Sequence, residues 1–164
     1  MVSRRTPDAA VAFIRGVLLG LPEVEEAVAY GWIDSKARKL DEERTAMWMS
    51  PRKPGSAWSR PNKERIERLE RAGLMTDAGR RAIDVAKQDG SWTRLDSVWD
   101  LVVPDDLDAA FASHPGSRES WESFPVSARR ASLQWIVEAR TDATRTKRVE
   151  TTAAEAAAGR RINQ

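Results

Sequence analysis

Apolar positions recur at three- and four-residue intervals along most of the chain, the rhythm of helices that bury one face. Thr6-Pro7 supplies a helix start, a capping hydroxyl followed by proline at the first helical position. Ala10, Ile14, Val17, Leu18 and Leu21 then share a face, while Gly16, Gly20 and Pro22 weaken the helix and end it. A second helix over 23–30 aligns Val24, Ala27 and Val28 and stops at Gly31. The next segments, "WIDSKARKL" and "RTAMWMS", are short and rich in strand-forming residues. With Asp41-Glu42-Glu43 between them they predict a small hairpin, in which Met47, Trp48 and Met49 alternate with one face in the core.

The stretch "MSPRKPGSAWSRPN" (49–62) breaks the helical rhythm altogether, holding three prolines, three cations and no acid. Beyond it, Asn62 is placed to cap a helix carrying Ile66 and Leu69, which ends at Gly73 with Leu74 as the apolar residue past the cap. Thr76-Asp77 opens another helix, with Ile83 and Ala86 inward and Gly90 as its close. "SWTRLDSVWDLVV" is ambiguous and has room for a short strand at Leu101–Val103. After Pro104, Leu107, Ala110 and Phe111 mark a helix that stops before Pro115. Trp121 and Phe124 belong to a short helix, and Ser127 caps a longer one with Leu133, Ile136 and Val137 inward. The alanine-rich tail has helical propensity but a thin apolar face, so it reads as helical or frayed. The pattern predicts a mainly α fold with a small antiparallel β-element (α+β), a single domain over 1–148 and a tail at 149–164.

Composition adjusts that picture in three ways. The chain has 164 residues, enough for one domain with a real core, and 41% hydrophobic against 32% charged residues fits a globular protein with a charged surface. Seven tryptophans stand against three Phe and one Tyr, and such large rings with an N–H to satisfy favour core anchors and half-buried seams. Net charge is only +2, yet residues 36–71 hold eleven Lys/Arg against six Asp/Glu, so the middle of the chain is basic. Cysteine is absent, which removes disulfides, thiolate nucleophiles and Cys-ligated zinc and suits a reducing cytoplasm. The early arginines and Ala27-Val28-Ala29 imitate a secretory leader. Asp8, Arg15 and the acids Glu23, Glu25 and Glu26 interrupt it, and no apolar run is long enough for a membrane span.

A larger pattern then emerges. Gly31-Trp32-Ile33-Asp34 is followed by Leu40-Asp41 with Arg44, then Ser50-Pro51-Arg52, Ser56, Trp58-Ser59, Asn62 and Arg65. Leu69, Gly73, Met75-Thr76, Ala78-Gly79, Ala86-Lys87, Gly90 and Trp92 continue it, and "VPDDLDAAFASHP" and "SARRASLQWIVEARTDATRTKR" close it. This series resembles the YdeI/OmpD-associated family of bacterial proteins, usually labelled bacteriocin-protection proteins, over about residues 25–148. The resemblance implies a cytosolic bacterial protein linked to envelope or antimicrobial-peptide stress, and it implies no particular reaction or cofactor. The family carries a longer N-terminal segment, to which only "RGVLLGL" corresponds here, so the front reads as shortened and the hairpin as having an unpaired edge.

Among candidate sites the strongest is the group Arg44, Arg52, Lys53, Trp58, Asn62 and Arg65. On one reading, guanidinium groups beside a tryptophan and an Asn-capped helix start receive a phosphate or carboxylate, with the Trp face free to stack on a ring. On the other, Asp34, Asp41 and Glu43 neutralise the arginines and Trp58 plugs the core under the loop. Gly31, Trp32, Asp34, Asp41, Gly73 and Trp92 read as structural positions. Asp34 and Asp41 are better turn and ion-pair residues than a catalytic pair, and His114, the only histidine, is a poor base or metal ligand. "AGLMTDAGRRA" lacks the lysine and the preceding strand of a phosphate loop, and Lys87 suits a helix C-terminus. Three functions compete: a non-catalytic protection protein with a basic, Trp-bearing groove for an anionic ligand or protein partner; a nucleic-acid-binding module, which is less favoured; and an enzyme acting on a small phosphorylated or carboxylated substrate.

Overall fold

The computed structural model describes residues 27–39 and 45–162, with the side chains of 34–39 and 45–49 outside that description. The helix expected from Thr6, the side-chain alternation at Met47–Met49 and the positions Asp41 and Arg44 therefore lie outside the described residues. The chain forms two compact units that divide between Trp92 and Thr93.

In the first unit, a helical turn at 27–29 ends where the Gly31 N–H donates to the Val28 carbonyl at 2.9 Å. Gly31 takes a left-handed φ of +73° there, a conformation that side chains resist. The predicted hairpin follows: β1 (Trp32–Lys39) pairs antiparallel with β2 (Thr45–Pro51), from Trp32 opposite Pro51 to Lys39 opposite Thr45. A register shift between Asp34 and Ala37 marks a bulge. Helix α1 (Arg60–Arg71) and helix α2 (Asp77–Gln88) complete the unit.

Asn62 is not the cap of α1. The helix opens at Arg60 with Ser59 in the capping position, making no side-chain capping bond, because Pro61 presets the first turn one residue after the start. The far end follows the expectation: Gly73 at φ +69° lets its own N–H reach the Glu70 carbonyl at 3.0 Å and the Leu74 N–H reach Leu69 at 2.9 Å. Thr76 caps α2 by accepting from the Gly79 N–H at 3.2 Å, and its hydroxyl donates to the Ala29 carbonyl at 2.8 Å. Val28, Ala29, Trp58, Ile66, Leu69, Met75, Ile83 and Ala86 form the core, with Tyr30, Ala82 and Trp92 packed against it.

The second unit is helical: α3 (Asp96–Trp99), α4 (Asp105–Ser113), α5 (Ser117–Ser123), α6 (Val126–Val137) and α7 (Asp142–Ala157). No strand forms at Leu101–Val103. Leu101 turns left-handed at φ +56°, its N–H bonds Val98 at 3.2 Å and the Val102 N–H bonds Ser97 at 2.8 Å, so donors a strand would need close α3 instead. Ser127 is not a cap either; α6 starts one residue earlier, where the Pro125 carbonyl accepts the Ala128 and Arg129 N–H groups.

Trp121 is buried beside Phe111, ring centroids 5.7 Å apart, and its indole N–H donates to Ser132 at 3.0 Å. The alanine-rich segment is a helix through Ala157, and the expected boundary at 148/149 falls inside it. Val149, Thr152, Ala153 and Ala156 fall at helical spacing and are buried against α4, α5 and α6. A thin apolar face is enough there because small side chains let the helices approach closely.

Candidate functional site

The loop between β2 and α1 is fixed from three directions. Lys53-Pro54-Gly55-Ser56 makes a tight turn in which the Ser56 N–H donates to the Lys53 carbonyl at 3.0 Å, with Pro54 presetting φ and Gly55 at φ +77°. The Asp89 carboxylate, just past α2, accepts the Gly55 N–H at 2.7 Å and the Ser91 N–H at 2.8 Å, which clasps the turn to the helix end. At the front of the loop, the Arg52 N–H donates to the Gly31 carbonyl at 3.0 Å. The Arg52 guanidinium lies 3.8 Å from the centroid of the Trp58 ring and donates to the Ala57 carbonyl at 2.9 Å.

Trp58 is only 1% exposed, and its backbone N–H bonds the Ser91 carbonyl at 3.4 Å. Trp92 packs beside it with centroids 5.4 Å apart, and Lys63 and Lys87 place ammonium groups 5.0 and 5.6 Å from the Trp92 ring. The two tryptophans thus form an aromatic base under a cationic loop.

Against this base opens a pocket of about 170 Å³ between the turn and α2. Trp58, Ala82, Val85 and Ala86 give it apolar walls, and Arg52, Lys53 and Arg81 bring three cations to it. Lys53 and Arg81 are exposed and make no ion pair among the described residues. Asp89 is the one acid in the lining, and it holds two backbone amides. Ser91 is buried in the same wall, and its hydroxyl has no hydrogen-bond partner among the described residues.

The residues singled out from the sequence divide accordingly. Arg52, Lys53 and Trp58 meet at the pocket. Asn62 and Arg65 do not line it; they bond each other, Arg65 Nη1 donating to Asn62 Oδ1 at 2.8 Å, with Asn62 buried. Arg44 and the side chains of Asp34 and Asp41 lie outside the described residues. Sequence reading missed Arg81 and Asp89. The signal available was the Lys53-Pro54-Gly55 turn, whose exposed amide needs an acceptor, and the acid directly before Gly90. In the second unit His114 contacts Glu150 through Nε2 at 3.1 Å and the Ala110 carbonyl through Nδ1 at 3.0 Å, well occupied as a helix-end residue. Among the described residues, no group of three or more acids and histidines is arranged to hold a metal ion, and no helix is long and apolar enough to cross a membrane.

Comparison with known families separates the chain along the same division. Residues 20–82, which include Gly31-Trp32-Ile33-Asp34 and the loop at 49–62, match a family described as a domain of unknown function (DUF8412). Residues 100–159 match the family described as bacteriocin-protection, YdeI or OmpD-associated. No curated protein matches the chain. No solved structure matches it either. Of the residues lining the pocket, those from Arg52 to Ala82 fall within the first match and those from Val85 to Ser91 lie beyond its end. By the other segment, residues 100–159, the chain is similar to the YdeI/OmpD-associated, bacteriocin-protection family.

Proposed function

We propose that this chain is a non-catalytic, cytoplasmic protection protein of the bacterial stress response whose N-terminal unit binds a small anion in the pocket beside Trp58. The observation that carries the reading is the pair Lys53 and Arg81, two exposed cations lining one pocket with no acid bound to either among the described residues. Arg52, stacked on Trp58, adds a third positive charge whose position is set by the ring and the Ala57 carbonyl. The pocket acid, Asp89, serves the backbone, which argues against acid–base catalysis there. Trp58 is too deeply buried to offer its face to a nucleic-acid base, so the binding of single strands by stacking has no support at this site.

The test is a thermal-shift panel of inorganic and organic anions against the wild type and the Lys53→Ala/Arg81→Ala double variant. A ligand at a hundredfold excess over Kd stabilises the folded state by about 2.7 kcal/mol, a shift readily seen. At least one anion is expected to raise the wild-type midpoint saturably and to leave the double variant unmoved. If no anion separates the two proteins, the pocket is only a seam in the packing.

A further inference from the structure

We infer that the ligand of this pocket is a monocarboxylate with a compact apolar body, and not a phosphate; the inference rests on the anion-site reading above. Phosphate sites are built from unengaged backbone N–H groups, at helix N-termini or in nests of successive amides. Here the amides around the pocket are in use: Gly55 and Ser91 donate to Asp89, Ser56 to the Lys53 carbonyl, and Trp58 to the Ser91 carbonyl.

The helix beside the pocket presents the wrong end for a polyanion as well. Val85 and Ala86 belong to the last turn of α2, where the macrodipole is negative, and the Asp89 carboxylate sits just beyond it. A dianion placed there meets repulsion from both. A single carboxylate reaches Lys53 and Arg81 through side-chain contacts alone. The remaining accessible wall, Pro54, Ala82 and Val85, rewards an apolar group attached to it. One charge and one apolar body match what the pocket offers.

Titration calorimetry on the full chain with benzoate, benzamide and inorganic phosphate tests this. Benzoate is expected to bind, benzamide at least about tenfold more weakly, and phosphate not at all. Arg81→Gln is expected to weaken benzoate by about tenfold while leaving the unliganded melting temperature unchanged, since Arg81 is exposed and makes no ion pair among the described residues. Phosphate binding tighter than benzoate overturns the carboxylate assignment and leaves the anion site standing. Equal binding of benzoate and benzamide, or no response to any of the three, removes both.

Discussion

Gly79 shows how much rests on a single missing methyl group. A Cβ built there would sit 2.1 Å from the Ala29 carbonyl oxygen and 2.7 Å from the end of Met75. The same carbonyl receives the Thr76 hydroxyl and backbone N–H, so it has little freedom to retreat. Gly79→Ala raises helix propensity, worth about 1 kcal/mol in the open. The clash outweighs that gain, and a net loss of about 3 kcal/mol is expected in urea unfolding. Gly55 supplies the contrast, because an added Cβ there meets nothing within 4 Å and only the left-handed backbone resists it. A Gly79→Ala variant as stable as the wild type would mean that Ala29 and α2 are not in contact as described. The tryptophans divide by the same logic. Trp58 and Trp121 are core residues with their N–H groups or faces occupied, whereas Trp92 is half-buried beneath two lysines.

At the level of elements, α7 decides whether the second unit has a core. Its buried residues Val149, Thr152, Ala153 and Ala156 all follow Arg148, so a chain ending there loses the whole inward face. Removing these contacts costs on the order of 5 kcal/mol, comparable to the entire stability of a small domain. The shortened chain is expected to lose the near-ultraviolet circular dichroism of Trp121 and to be cut rapidly by protease within 93–148. Retention of both signals would show α7 to be dispensable. The hairpin and the two helices of the first unit were legible from spacing, since alternation, Gly73 and Thr76 are local signals. The starts of α1 and α6 were misplaced by three and two residues for one reason: proline determined the first turn more strongly than the polar side chain that looked like a cap.

For the whole molecule, the charge balance predicts the response to acid. Arg80 grips Glu70 through two hydrogen bonds, at 3.1 and 2.9 Å, and holds its carboxyl below the usual range; Arg160 does the same to Glu155. A carboxylate whose folded pKa is depressed contributes stability that is complete above its unfolded value, near 4.5, and is lost as pH falls through the folded value. The urea midpoint is therefore expected to decline as pH drops below about 4.5, and the Glu70→Gln/Glu155→Gln variant to decline less steeply. Both pairs are exposed, so high salt should narrow the difference between the two proteins. Identical acid limbs at low salt would rule these pairs out as contributors.

The sequence by itself determined what depends on neighbours along the chain: the helical periods, the hairpin, the glycine-ended helices, the cationic loop after β2 and the similarity of the C-terminal segment to a known family. A hydroxyl before a helix or a glycine after one acts within a few residues, and its meaning survives without the fold. Only the tertiary structure decided which cations share a space. Arg81 joins Lys53 because α2 packs beside the Pro54-Gly55 turn, and the clasp that brings them together is Asp89, 34 residues from the amide it accepts. Asn62 and Arg65 left the group because they could satisfy each other one helical turn apart. The tail, too thin in apolar residues to declare itself, became core because three other helices supplied the surface it lacked.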